Sequence, residues 1–276
     1  MLPYAPSELI LNPDGSVYHL GLRGEDIPEL IFTVGDPERV SSVSKHFEQV
    51  YWTKNRREFK MVRGSYKGNE VLVLSTGMGT DNIDIVVNEL DAAVNIDPEK
   101  RTNRATHRKL RIIRIGTSGA VHPEIPVGSH LWSAGALAFD ALLPFYQHDF
   151  EQIAVPHAPL QPYVVPGSSN VPQWEGLYHG ITATLPGFYG PQGRNIRIGS
   201  TFAKALDGLH EIQVGAHTVT NFEMETSGIY ALAHLLGHEA HSFSALLANR
   251  ATGDFHPDPS VPVESLIQKV LEWAVA

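Results

Sequence analysis

Cysteine is absent from all 276 residues, which removes disulfides, thiolate metal sites and cysteine nucleophiles together. No stretch approaches the roughly 20 apolar residues that a membrane helix needs. Basic residues are in deficit: 21 Lys and Arg against 30 Asp and Glu give a formal charge of −9. That balance argues against a nucleic-acid binder, which needs a basic stripe to neutralise phosphates. A small anionic ligand stays compatible, since a few converging arginines make a positive pocket inside an acidic protein. The opening MLPYAPSELILNPDG has neither a basic n-region nor an apolar h-region, so no signal peptide is expected, and the expected compartment is the cytoplasm. No GxxxxGK[ST] loop occurs, which excludes a P-loop NTPase. Gly77-Met78-Gly79 lacks the third glycine of a dinucleotide fingerprint, because position 82 is Asn.

What is present reads as an ordinary globular chain, 42% hydrophobic and 18% charged. Leu30–Val34 runs into Gly35-Asp36-Pro37, and Val71–Ser75 stops at Thr76-Gly77-Met78-Gly79. A third strand, Arg111–Ile115, ends at an expected turn, Gly116-Thr117-Ser118-Gly119. Further strands are expected near Ser129–Ser133, Gly180–Thr184, Thr218–Asn221 and Ser242–Ala248. Ile83, Val86, Val87, Leu90 and Val94 fall at helical spacing behind Asp81, a candidate N-cap. Helices are also expected over Glu225–Leu236 and on the apolar positions Val263, Leu266, Ile267, Val270 and Leu271. Strand, glycine turn and helix in succession predict an α/β fold, a central mixed, twisted β-sheet flanked by helices. With no linker, charge-block tail or repeat, residues 1–276 read as a single domain. The charged stretch 97–109 reads as a solvated connection, and the Pro-rich segment 154–172 as a long surface excursion, a lid or an oligomer contact.

Three strand ends carry chemistry. Gly35-Asp36-Pro37-Glu38-Arg39 offers N–H groups and then a guanidinium. Arg114-Ile115-Gly116-Thr117-Ser118-Gly119 adds an arginine and hydroxyls, so the two together suit a phosphate. Asn221-Phe222-Glu223-Met224-Glu225 has two readings: an acidic helix start that complements the dipole, or carboxylates that hold sugar hydroxyls. His234, His238 and His241 have helical spacing, but Gly237 interrupts them and HExxH is missing, so no metal is expected.

The ordered set VGDPERV, STGMG, RIGTSGA, FYGPQGR, NFEMET and ANR resembles the nucleoside phosphorylase family, which includes uridine phosphorylases, hexameric purine nucleoside phosphorylases and related nucleosidases. The likeness runs from about Tyr18 to the C-terminus and implies the nucleoside phosphorylase-like fold. By this resemblance, phosphate is held by Gly35, Arg39, Arg114 and Thr117, with Arg57 arriving from a neighbouring subunit. Ribose is held by Met224 and Glu225 with Glu223 nearby, and His19 of the neighbour reaches the 5′-hydroxyl. Arg114, Glu225 and Arg250 carry the catalytic roles. The family pattern implies a homo-oligomer, a dimer at minimum and commonly a hexamer, acting on a nucleoside and inorganic phosphate without a cofactor.

The base site resembles that of uridine phosphorylases. Gln192 and Arg194 look like their Gln-x-Arg pair, and Phe188 like the aromatic that packs on a pyrimidine. Ser118 and Gly119 join the same site, and Arg250 stands where purine-specific relatives carry an acid. The implied reaction is uridine plus phosphate to uracil plus ribose 1-phosphate, a step in pyrimidine salvage. Departures are visible: FYGPQGR replaces the usual FYPGQER. Asn82 stands where some relatives have a Ser associated with a monovalent cation at the dimer interface, which weakens that expectation. Asp254, close behind Arg250, is an alternative acid. Thymidine, deoxyuridine or purine use, a nucleosidase, and a noncatalytic nucleoside binder therefore remain as alternatives.

Overall fold

The computed structural model describes residues 2–276, and the chain falls into two compact units. The first comprises Met1–Gly77, Asp81–Ile113 and Leu232–Glu239. It opens with β1 (Leu30–Val34), every residue of which is buried, as a continuous β-branched and aromatic run requires. Helix α1 (Pro37–Ser44) follows. Asp36 caps it by accepting the Glu38 N–H at 2.8 Å, and Pro37 takes the first position, where its missing N–H costs nothing.

Strands β2 (Gln49–Arg56) and β3 (Phe59–Tyr66) form an antiparallel hairpin. β4 (Asn69–Ser75) then pairs antiparallel with β3 and parallel with β1. Helix α2 (Thr80–Asn95) buries Ile83, Val86, Val87, Leu90 and Val94, the five positions that its spacing predicts. It starts at Thr80, so Asp81 lies in the first turn and complements the dipole instead of capping.

The charged stretch 97–109 contains a small hairpin, β5 (Ile96–Asp97) with β6 (Thr102–Asn103). Its arginines also tie down chain. Arg101 donates to the carbonyls of Tyr4, Ala5 and Leu9, and Arg108 to those of Gly24 (2.8 Å) and Ile27 (2.6 Å). The stretch is solvated as expected, with residues 103–109 exposed; in addition, these guanidiniums satisfy carbonyls that no strand pairs.

Strand β7 (Arg111–Ala120) enters the first unit by its first three residues and continues in the second. The turn expected at Gly116 is absent, because the strand runs on through Gly116, Thr117, Ser118 and Gly119. The second unit comprises Met78–Thr80, Arg114–Ala231 and Ala240–Ala276. It adds β8 (His130–Ala138), β9 (Tyr163–Pro166), β10 (Leu177–Thr184), α3 (Ala203–Asp207), β11 (Gln213–Val214) and β12 (His217–Glu223). Helix α4 (Thr226–Leu236) as far as Ala231, β13 (Glu239–Asn249) from Ala240, β14 (Asp254–Phe255) and α5 (Ser260–Ala274) complete it. The Pro-rich segment is partly sheet, since β9 pairs with β8.

Neighbouring strands follow the order β12-β10-β8-β13-β7, and β12 also pairs with β7 through Asn221↔Ala120 and Phe222↔Gly119. The second unit's strands therefore close on themselves, which removes their edges. Side-chain alternation sorts the two faces, with one register shift at Ile181/Thr182 that lets both Val219 and Phe222 face the core. Ile181, Ala183, Val219 and Phe222 join an apolar core with Leu137, Phe139 and Leu209, whereas Thr182, Thr184, Asn221 and Glu223 carry hydrogen bonds. Helix α5 buries Leu266, Ile267, Val270 and Leu271, with Val263 half-buried. The fold is thus α/β with a mixed sheet flanked by helices.

Replacing Arg108 with Met leaves the Gly24 and Ile27 carbonyls without their charged donor, at a cost of about 1–2 kcal/mol. A urea titration should show the midpoint falling with the slope unchanged.

Candidate active site

At the start of α4, two carboxylates meet one guanidinium. Arg114, Glu223 and Glu225 are each at most 5% exposed. Arg114 Nη2 lies 2.6 Å from Glu225 Oε2 and 3.1 Å from Glu223 Oε2. Glu225 Oε1 also accepts the Gly79 N–H at 2.7 Å, so the glycine turn considered above for a dinucleotide supplies a donor to a carboxylate. Glu223 does double duty: it accepts the Glu225 and Thr226 N–H groups at the open end of α4 and the Thr184 hydroxyl at 2.7 Å. The two readings of the NFEME segment therefore divide by residue. Glu223 is the acidic helix start, and Glu225 is held by Arg114 and Gly79.

Burial opposes the charge on Arg114, but Glu223 and Glu225 outweigh it and hold its pKa above the ordinary guanidinium value. Burial pushes Glu225 up, Arg114 pulls it down, and Glu223 pushes it up again; the direction is upward. One cation shared by two buried carboxylates leaves an excess negative charge when both are ionised.

Beyond Arg114, Ser118 accepts from the Asn221 amide at 2.9 Å, and Asn221 Oδ1 accepts from Thr182 at 2.9 Å. Thr117 is half-buried on the same strand. Thr182, Thr184 and Asn221 were not singled out from the sequence. Their signal was polar residues at alternate positions within otherwise apolar strands.

A second group forms around a short 3₁₀ turn, Gly190–Gln192. Gln192 is buried, and its Oε1 accepts from Arg194 Nη1 at 2.7 Å. Arg194 also donates to the Phe188 carbonyl, and its guanidinium lies 3.7 Å from the centre of the Phe188 ring. Arg250 donates to the Gln192 carbonyl at 3.0 Å and sits 5.8 Å from the Phe222 ring centre. Gly119 lies against the edge of that ring. Phe188, Gln192, Arg194 and Arg250 are thus brought together. Burial and then the neighbouring Arg250 depress Arg194, and burial depresses Arg250. The alternative acid, Asp254, is exposed on β14 and accepts from Thr252 at 2.6 Å.

Gly35, Arg39, Arg57 and His19 lie in the first unit. Gly35 and Arg39 flank the start of α1. Arg57, at the tip of the β2–β3 hairpin, has φ 54°, a costly left-handed backbone for a non-glycine, and its guanidinium lies 5.3 Å from the Tyr18 ring centre. Next to Tyr18, His19 Nδ1 lies 2.6 Å from Glu89 Oε1, and Glu89 also accepts the His19 and Leu20 N–H groups. Glu89 had no signal in the sequence beyond its place on α2.

Helix α4 stops at Leu236 and Gly237 turns at φ 79°, so the histidine spacing does not form a helical ladder. His238 accepts the Leu110 N–H, and His241 accepts the Trp132 indole N–H.

Residues 29–272 match the family model of the phosphorylase superfamily. The chain belongs to this superfamily. Among its phosphorylase relatives, the uridine phosphorylase of Thermococcus kodakarensis is 29% identical over 269 residues, covering 94% of this chain and 88% of the relative. The uridine phosphorylase of Klebsiella aerogenes is 30% identical over 237 residues, 85% of this chain and 86% of the relative. Among solved phosphorylase structures, a Trypanosoma brucei nucleoside phosphorylase described as showing uridine phosphorylase activity superposes with a TM-score of 0.84. It is 26% identical, covering 97% of this chain and 100% of that one.

The raised Glu225 gives a pH signature. An unfolded glutamate ionises near 4.5, and the folded one only at higher pH, so the group's stabilising contribution is complete below 4.5 and is lost as pH rises through the folded value. Glu225→Gln removes that loss: urea midpoints of the variant should decline less than those of the wild type from pH 4.5 to neutrality.

Proposed function

We propose that this phosphorylase cleaves uridine with inorganic phosphate, giving uracil and ribose 1-phosphate. A phosphate oxygen bonds to the anomeric carbon as the bond to N1 of the base breaks. The electron pair leaves with the base, which then takes a proton. The sugar passes through an oxocarbenium-like state, so positioning and fixed charge do most of the catalysis.

The observation that carries the reading is the Gln192–Arg194–Arg250 group: a buried carboxamide bonded to one guanidinium, with a second guanidinium on the backbone carbonyl of the same glutamine. Among the described residues, neither arginine makes an ion pair. Both donate to neutral oxygens only, and such cations suit a flat ring that leaves as an anion. The uridine phosphorylases among the relatives support the same choice.

The remaining roles are proposals on the same footing. Gly35, Arg39, Arg57, Arg114 and Thr117 hold phosphate; His19, Glu223, Met224 and Glu225 hold ribose; Ser118, Gly119 and Phe188 join the base site. Phosphate is a co-substrate, and no cofactor or metal is invoked. The protein is proposed to work as one domain in a cytoplasmic homo-oligomer, a dimer at minimum and a hexamer when full, in pyrimidine salvage. Among the described residues, no helix is long and apolar enough to cross a membrane.

A panel of uridine, thymidine, deoxyuridine and inosine, assayed with and without phosphate, tests the reading: uracil release from uridine should require phosphate and exceed base release from inosine. Arg194→Ala should lose about 1.5–3 kcal/mol of charge-assisted bonding, roughly 10- to 150-fold in kcat/KM for uridine. Unchanged uridine turnover by that variant removes the case for a pyrimidine site.

A further inference from the structure

Gly116 sits mid-strand in β7 with ordinary extended backbone; its φ is not among the positive values that demand glycine. Glycine in a strand interior costs stability and contributes no packing, so it usually marks a close approach. The approaching group here is the side chain of Arg114, two residues earlier on the same face of the strand. A Cβ built on Gly116 would lie 2.7 Å from Arg114 Nη2, and closer still to Nη1 and Cζ. The guanidinium occupies the space that a side chain at position 116 would fill.

From this geometry we infer that Gly116 is a positioning residue: its missing side chain is the floor on which the Arg114 guanidinium rests between Glu223 and Glu225. Both contacts of Nη2, 2.6 Å to Glu225 and 3.1 Å to Glu223, require the head group to stay low on the strand. Any Cβ lifts it, and neither side can yield cheaply. The guanidinium is buried between carboxylates that are themselves fixed, Glu225 by Gly79 and Glu223 by Thr184 and the start of α4. Gly119, on the same strand, differs: a Cβ there would meet the edge of the Phe222 ring at 3.2 Å, a contact that a small ring shift relieves.

The kinetic readout rests on the phosphorolysis proposed above, so the experiment is a double-mutant cycle with a second, activity-free readout. The variants are Gly116→Ala, Arg114→Lys and the pair together. Lysine keeps a cation but lacks the plane that the new methyl would strike. Gly116→Ala alone should lower kcat/KM for phosphate on the order of tenfold or more, chiefly through KM for phosphate. Added to Arg114→Lys, it should cost less than about twofold further. Gly119→Ala should be the milder single change.

A Gly116→Ala enzyme with wild-type kinetics overturns the inference. So does a double variant in which the two losses multiply, as general damage to the strand would make them. Where Gly116→Ala alone does not fold, the pair decides: folding with the urea midpoint of Arg114→Lys supports the inference, and failure to fold while Arg114→Lys folds defeats it. A wild-type protein that releases no uracil with phosphate present sinks the proposed reaction only, because the urea midpoints of the same variants still report whether Gly116 acts through Arg114.

Discussion

One guanidinium buried between two carboxylates is the constraint on which the second unit turns. Burying three charges together is expensive, and such a cluster seldom stabilises a protein as well as apolar packing of equal volume. Its persistence here follows from how each charge is used elsewhere. Glu223 satisfies the N–H groups at the open end of α4, which an apolar residue would leave unpaired. Glu225 accepts from Gly79 and thereby fixes the turn in front of α2. Arg114 prevents the two carboxylates from repelling each other apart. Removing Arg114 leaves two buried carboxylates without their cation, so the cluster depends on the guanidinium more than on either acid.

The strands around that cluster show how β geometry delivers the donors. β10 and β12 run parallel with Thr182 opposite Asn221 and Thr184 opposite Glu223. Each pair is also a hydrogen bond, so one face of the two strands is a polar ladder that continues to Ser118 on β7 and Ser133 on β8. The intervening residues Ile181, Ala183 and Phe222 enter the apolar core. A one-residue slip in register would exchange the faces and bury unpaired hydroxyls in the core, so the ladder and the core fix each other's register.

Much of this was legible in the sequence where the local chemistry has one solution. The five apolar residues of α2 fall on one face, as their spacing requires, whereas Gly35-Asp36-Pro37 reads as a turn in the sequence and proves to be the capped start of α1. Glycine was where reading failed. Gly116-Thr117-Ser118-Gly119 has the composition of a turn, but composition cannot distinguish a glycine needed for backbone freedom from one needed because another group occupies the space of its side chain. The stretch 97–109 is exposed, as its charge implies, but the carbonyls that its arginines cap belong to residues far away in sequence, which local composition does not reveal. The base-side group, by contrast, was carried by the resemblance of Gln192-x-Arg194 to the uridine phosphorylase pair, and the structure adds that Arg250 bonds the Gln192 backbone rather than its amide.

The two charged groups of the second unit are electrically opposite, and the contrast has chemical meaning. Around Arg114, carboxylates outnumber the guanidinium, whereas around Gln192 two guanidiniums face only neutral oxygens. β12 belongs to both, since Glu223 is in the first group and the ring of Phe222, the preceding residue, lies under Arg250. Alternation along a strand points these neighbours to opposite faces, so a single register sets both groups. A reaction that builds positive charge on a sugar while negative charge collects on a departing ring needs opposite fields over a short distance. A rigid strand provides that separation at no cost in reorganisation, because both sets of charges are fixed before any substrate arrives.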